Sequence, residues 1–297
     1  MKGGTAPGKG GTLPRVPGGS RQQRGRAIRI ALLAGASAGI CGLSAPEKAA
    51  PVHLADRFDR VVLDAGHGGE DHGARGPEGA LEKEVALDVA LRVADLLRGA
   101  GLEVVLTRSD DTFVPLERRT EIANRADGDL FVSIHCNGAR SRSARGIETF
   151  FLSAEASDEA ARNLARRENL AFGPEGGESG PAGGLAALLL DLIATEHLQE
   201  SAEFARLAQA ALTAREQGWS RGLKQAPFVV LMNLDMPAAL LEIGFLTHPE
   251  EGRELARAER RQEIAQAIVR AILEFGRRYD ARRGVADADV AAGGGGR

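Results

Sequence analysis

His67 and His135 each stand at the end of an apolar run, in Val61-Val-Leu-Asp-Ala-Gly-His-Gly-Gly-Glu70 and Asp129-Leu-Phe-Val-Ser-Ile-His-Cys-Asn137. Such runs read as buried strands, each of which would deliver an imidazole to a cleft at its end. Gly66 and Gly68 flank His67 and let the backbone turn sharply there, with room for something to approach the ring. Two imidazoles arriving in this way point to a metal site. Catalytic zinc takes three protein ligands from His, Glu, Asp and Cys, and keeps one position open. Spacing leaves two carboxylates competing for the third place. Glu70 makes an H-x-x-E arrangement with His67, and Glu82 begins a helix beyond the loop. Strand alternation puts Phe131, Ser133 and His135 on one face and Val132, Ile134 and Cys136 on the other. With His135 in the cleft, Cys136 belongs to the core. His53, His72, His197 and His248 follow no strand-end pattern and read as solvated.

A further carboxylate, Glu242, lies inside Met236-Pro-Ala-Ala-Leu-Leu-Glu-Ile-Gly-Phe245. An acid is poorly placed in a core without a partner. Beside a metal, partial desolvation would raise its pKa toward neutrality and fit it for proton transfer. The competing reading is an ion-paired structural glutamate.

The elements that would position these groups follow from periodicity. Strand-like runs cover 60–64, 102–107, 129–135, 146–151, 227–232 and 238–243. Val85, Val89, Val93, Leu96 and Leu97 mark one face of a helix from Leu81 to Gly99, stopped by Gly99 and Gly101. Further helices are expected over 115–126 and 259–279. Alternating strands and helices predict one α/β domain, a mostly parallel twisted sheet of about six strands with helices on both faces. Between 153 and 226 two helical stretches, 157–171 and 186–217, flank a Gly/Pro/Glu-rich loop at 172–184. They read as a helical insertion rather than a further βα unit.

The chain has 297 residues, 38 Lys+Arg against 41 Asp+Glu and a formal charge of -3. That balance argues against a nucleic-acid binder. Residues 1 to 45 read as a disordered N-terminus and an export signal. Arg21, Arg24, Arg26 and Arg29 precede the apolar stretch Ile30 to Leu43, which ends in Ser44-Ala45. That stretch is short for a membrane helix, which needs about 20 residues; an uncleaved anchor is the alternative. Residues 46–56 read as a linker, 57–279 as the catalytic domain and 280–297 as a disordered tail. Cys41 falls in the leader, which leaves Cys136 without a partner for an internal disulfide.

Taken together, the motifs resemble the zinc-dependent N-acetylmuramoyl-L-alanine amidases of bacterial cell-wall turnover and division. The matching stretches are 63–74, 81–84, 106–108, 116–119, 123–124, 126–137 and 237–249, in family order over nearly all of 60–279. His72 departs from the pattern, which usually has Pro there. The resemblance implies that His67, Glu82 and His135 hold one Zn2+ and that Glu242 is the catalytic carboxylate, deciding for Glu82 over Glu70. It implies cleavage of the amide between N-acetylmuramic acid and L-alanine in peptidoglycan; the leader points to the periplasm or cell envelope, and a monomer is expected. The alternative is a zinc peptidase acting on the stem peptides. Arg119 and Asn124 match family positions, with bracing of the sheet the favoured role. The helical insertion resembles the segment that occludes the zinc in division amidases until an activator protein removes it, with Glu159 and Glu168 as candidate plugs.

Overall fold

The computed structural model describes residues 57–170, 184–214 and 219–285, the side chains of helix residues 184–196 excepted. The expected leader, the linker up to residue 56, His53, the loop at 172–183 and the tail from 286 lie outside the described residues. Six strands are β1 Arg60–Ala65, β2 Glu103–Leu106, β3 Leu130–Asn137, β4 Ile147–Leu152, β5 Ser220–Ala226 and β6 Ala238–Phe245. They form one sheet in the order β2-β1-β3-β6-β4-β5. The pairs β1–β2, β1–β3, β3–β6 and β4–β5 are parallel, and β4–β6 is antiparallel. Every residue of β3 and β6 is buried, as expected of central strands covered on both faces.

The helices are α1 Glu82–Gly99, α2 Leu116–Ala126, α3 Glu159–Asn169, α4 Gly184–Thr213, α5 Pro249–Ala256 and α6 Ala258–Arg282. Alternate residues of each central strand feed opposite cores, because successive strand side chains point to opposite faces. Leu63, Val132 and Leu241 join Val89, Phe204, Ile268 and Phe275 beneath α1, α4 and α6. Val62, Phe131 and Leu240 join Ala123, Leu164 and Phe228 on the face of α2 and α3. Cys136 sits in the first of these cores, as alternation requires. Among the described residues no helix is long and apolar enough to cross a membrane.

Several expected boundaries change. The run 227–232 is not a strand: Val229–Leu231 is a buried 3-10 turn. The sixth strand is the polar stretch just before it, β5, inside the segment expected to be helical up to 226. Because β5 lies parallel to β4, that segment ends in a crossover return to the sheet. Helix α4 also supplies Phe204, Ala205 and Ala208 to the main core. The closing helix continues to Arg282, past the expected end at 279, and a separate short helix, α5, precedes it. His248 is buried at the N-cap of α5, where Nδ1 accepts from the Glu250 and Glu251 amides at 3.3 and 3.2 Å. His197 is half-buried, its Nδ1 3.9 Å from Glu200 Oε2. Neither is the solvated histidine its surroundings in sequence suggested, because both lie where helices pack. His72 is exposed, as expected.

Candidate metal centre

Strands β1, β3 and β6 are neighbours and run the same way, so their C-terminal ends open onto one crevice, the usual ligand site of an open α/β sheet. His67 lies just beyond β1, while His135 and Glu242 face each other in the β3–β6 register. The backbone shifts register between His135 and Asn137, and such a bulge re-aims side chains.

His67 adopts φ 58°, a left-handed conformation uncommon for a residue with a side chain. Its carbonyl accepts from Arg119 Nη2 at 2.7 Å, and its Nδ1 donates to Asp71 Oδ2 at 2.8 Å. That leaves Nε2 facing the crevice. Glu82 starts α1, and its backbone amide donates to the Ala74 carbonyl at 3.0 Å. Its carboxylate accepts from the Ala74 amide through Oε2 at 2.7 Å and from the Cys136 amide through Oε1 at 2.9 Å. Two glycines make room for this arrangement. A Cβ at Gly66 would come within 2.4 Å of the His135 ring, and one at Gly73 within 2.5 Å of Glu82 Oε2 and 2.6 Å of the His67 ring.

The result is a cluster of ligand atoms from His67, Glu82, His135 and Glu168, all within 4.8 Å of one another. Glu82 Oε1 lies 2.9 Å from His67 Nε2 and 3.1 Å from His135 Nδ1. Glu168 Oε2 lies 3.4 Å from each of those nitrogens. His67 Nε2 is buried and, despite this crowding, has no partner in hydrogen-bond geometry among the described residues. Two neutral imidazoles and two carboxylates carry two negative charges, which one divalent cation balances. Imidazole and carboxylate are donors that suit zinc. The residues present therefore fit a metal ion.

Electrostatics agree. Burial works against a charged His67, but the Glu82 carboxylate and the Asp71 hydrogen bond outweigh it and raise its pKa to about 10. His135 is raised well above its usual value despite burial, through Glu168 and Glu82. Glu82 is held far below the carboxylate range, burial again being outweighed by the two histidines. The pocket favours positive charge between its carboxylates.

Glu242 is completely buried, and neither of its carboxylate oxygens has a hydrogen-bond partner among the described residues. Burial pushes its pKa well above the carboxylate range; the His135 charge opposes this, while Glu82, Glu168 and Glu148 add to it.

Of the remaining residues singled out in the sequence, Glu70 is exposed and outside the cluster. Glu159 is exposed and pairs with Arg162 at 2.6 Å. Glu168 reaches the cluster because α3 lies across the crevice. Asp158 caps that helix, accepting from the Ala161 amide at 2.7 Å. Arg167 donates to the Gly138 carbonyl at 2.5 Å and to Asn137 Oδ1 at 3.3 Å.

Arg119 braces the floor. It donates to Asp64 Oδ1 at 2.8 Å and to the Ala65 carbonyl at 2.6 Å, as well as to His67. Asn124 ties a loop, donating to the Asn233 carbonyl at 2.7 Å and accepting from the Asp235 amide at 3.1 Å.

The buried acid opposite Glu242 is not singled out in the sequence reading. Glu148 opposes Glu242 across β4–β6 and pairs with Arg221 and Lys224. The signal was the one that drew attention to Glu242, a carboxylate inside an apolar run, here Ile147-Glu-Thr-Phe-Phe-Leu152.

Comparison with known proteins agrees with this geometry. The family model described as N-acetylmuramoyl-L-alanine amidase matches residues 61–274. The chain is 40% identical over 222 residues to N-acetylmuramoyl-L-alanine amidase AmiA of Escherichia coli (strain K12), spanning 74% of this chain and 77% of the relative. With N-acetylmuramoyl-L-alanine amidase AmiC of Neisseria meningitidis serogroup B it shares 33% over 216 residues, 72% of this chain and 52% of the relative. Among solved structures, AmiC2 of Nostoc punctiforme aligns at 31% identity and a TM-score of 0.55, covering 73% of this chain and 97% of that one. The matched region contains both strand-end histidines, Glu82, Glu168 and Glu242, and on that span the chain belongs to the N-acetylmuramoyl-L-alanine amidase family.

Proposed function

We propose that this amidase is a zinc enzyme, with His67, Glu82 and His135 as ligands and Glu242 as the catalytic carboxylate. It hydrolyses the amide between N-acetylmuramic acid and L-alanine in peptidoglycan. The observation that carries the reading is the convergence of His67 Nε2, His135 Nδ1 and Glu82 Oε1 beside a buried, unpartnered Glu242.

When bound, zinc supplies Lewis acidity to the attacking water and to the scissile carbonyl. Asp71 holds the proton on His67 Nδ1, which keeps Nε2 free as a donor and fixes the ring. Glu242 takes the proton of the attacking water and returns it to the L-alanine nitrogen as the amide breaks. Burial raises its pKa, and a more basic carboxylate is the better acceptor of that proton.

Helix α3 regulates the site. Glu168 stands in the ligand cluster that the substrate carbonyl must approach, and Glu242 has no solvent contact while it does. An activator protein that draws α3 away opens the centre. The enzyme acts as an exported monomer in the periplasm or cell envelope, in wall remodelling and daughter-cell separation, where an unrestrained hydrolase would lyse its own cell.

The test is product analysis on intact sacculi with the zinc-loaded chain and with Glu168→Ala. Released stem peptides beginning in L-alanine, lost on chelation and in Glu242→Ala, support the reading. Shortened peptides still attached to sugar would overturn it in favour of a peptidase.

A further inference from the structure

Beside Glu242 lies a cationic fork that the chemistry above does not use. Arg221 is fixed on three sides. Its Nε donates to the buried Glu148 carboxylate, its Cζ lies 5.1 Å over the Phe245 ring, and its stem packs against Gly146, where a Cβ would come within 3.1 Å. The terminal nitrogens Nη1 and Nη2 donate no hydrogen bond among the described residues, and the side chain is 35% exposed. A guanidinium held in this way presents two parallel donors at little further entropic cost, the geometry that suits a carboxylate.

Its position ties it to the reacting groups. Glu148, which Arg221 grips, opposes Glu242 in the β4–β6 register. The other Glu148 oxygen accepts from Asn137 Nδ2 at 3.3 Å, two residues beyond His135. Lys224 doubles the charge, with Nζ 3.2 Å from Glu148 Oε1 and 3.0 Å from Asp158 Oδ2. Two cations thus share one buried carboxylate, and the balancing anion, Asp158, comes from the cap of α3. Helix α3 therefore places one carboxylate in the metal cluster, and its cap places another on Lys224.

We propose that Arg221, backed by Lys224, binds a carboxylate of the peptide on the L-alanine side of the scissile amide. This rests on the amidase reading above. The carboxyl group of N-acetylmuramic acid is consumed in the amide itself, so the negative charge of the substrate near the cut belongs to the peptide. The cap of α3 neutralises Lys224 while Glu168 stands in the cluster, and the departure of the helix leaves both cations free for the peptide carboxylate. Arg221 is a specificity determinant: it selects an acidic peptide over its uncharged counterpart.

The experiment uses the full chain, zinc-loaded and carrying Glu168→Ala, with two soluble substrates. One is an N-acetylmuramoyl-L-alanyl dipeptide with a free carboxylate on its second residue, and the other is the same molecule as the carboxamide. The expected result is a preference of about tenfold or more in kcat/KM for the carboxylate, as for a charge-assisted pair. Arg221→Ala in that background brings the ratio to about one, chiefly through KM on the acidic substrate. Arg221→Lys, which keeps the charge and loses the fork, retains part of the preference. An unchanged ratio in Arg221→Ala, no preference in the parent, or an equal loss on both substrates would overturn the proposal, the last by making Arg221 a mere brace for Glu148. Release of L-alanyl peptide from neither substrate would instead overturn the amidase chemistry, and the subsite with it.

Discussion

Asp64, on β1 three residues before His67, and Glu168, 3.4 Å from His67 Nε2, are carboxylates in very different settings. Asp64, beneath the site, is fully buried and accepts three hydrogen bonds, from Thr107 Oγ1, Ser133 Oγ and Arg119 Nη1, at 2.6 to 2.8 Å. Burial alone would raise its pKa, yet Arg119 and the two hydroxyls hold it below the carboxylate range. Around it Arg108 donates to the carbonyls of Ala65, Gly66 and Lys83 at 2.7 to 2.9 Å. The carbonyls of Ala65, Gly66 and His67 are thereby held by Arg108 and Arg119. Glu168, above the site, rides on a helix that buries only Ala161, Leu164 and Ala165. The ties of that helix, through Arg167, Asn169 and the Asp158 cap, lie at or near the surface. On the reading proposed above, the floor is permanent and the cover removable. A helix with three buried residues and surface ties has the features from which moving parts are drawn.

The largest effect should follow from breaking the floor. Arg119→Ala strands the buried Asp64 charge and frees the His67 carbonyl, at an expected cost of about 3–5 kcal/mol. Chemical denaturation reads it, and a loss below about 1 kcal/mol would make floor and cover alike after all. Glu242→Gln keeps the shape and removes the proton acceptor, so kcat should fall by about 10²–10⁴-fold with zinc content unchanged. Metal analysis beside the assay separates that outcome from a damaged centre.

Proton competition sharpens the comparison from the other side. With the metal absent, His67, titrating at about 10, and His135 both carry protons at neutral pH. A metal must displace them, so zinc binding releases protons and weakens as pH falls below that value. Titration calorimetry in two buffers of different ionisation enthalpy measures the release, and an affinity independent of pH between 6 and 9 would refute it. The smallest change in structure is Glu168→Ala. It should raise wall-cleaving activity by about tenfold, equivalent to removing about 1.4 kcal/mol of closure, and leave the unfolding midpoint within about 0.5 kcal/mol. Equal activity with and without Glu168 would mean that the helix does not gate the centre.

What was legible in the sequence followed the strength of local pattern. The central strands stood out because both their faces are buried, which forces continuous apolar runs. The polar edge strand β5, Ser-Arg-Gly-Leu-Lys-Gln-Ala, lacked such a run, and the apolar Val229–Leu231 drew the assignment away from it although it is a buried turn. Periodicity does not separate short apolar stretches of these two kinds. His248 was misread because its burial comes from α5 packing at the end of β6, a contact that nothing adjacent in sequence announces.

The sequence by itself determined the two strand-end imidazoles, the acid inside an apolar strand and the amphipathic helix between them. Each is a local matter of alternation, helical period and glycine placement. Spacing left Glu70 and Glu82 level, and the motif resemblance chose between them. The tertiary structure decided what depends on distance across elements. It put Glu82 against both imidazoles and left Glu70 in solvent, placed Glu168 over the crevice and Glu159 away from it, and set Arg221 and Lys224 beside a carboxylate that faces Glu242. The cluster joins the ends of two strands to the starts or ends of two helices, and its atoms meet only when sheet order and crossing helices have brought residues about a hundred positions apart to within 5 Å.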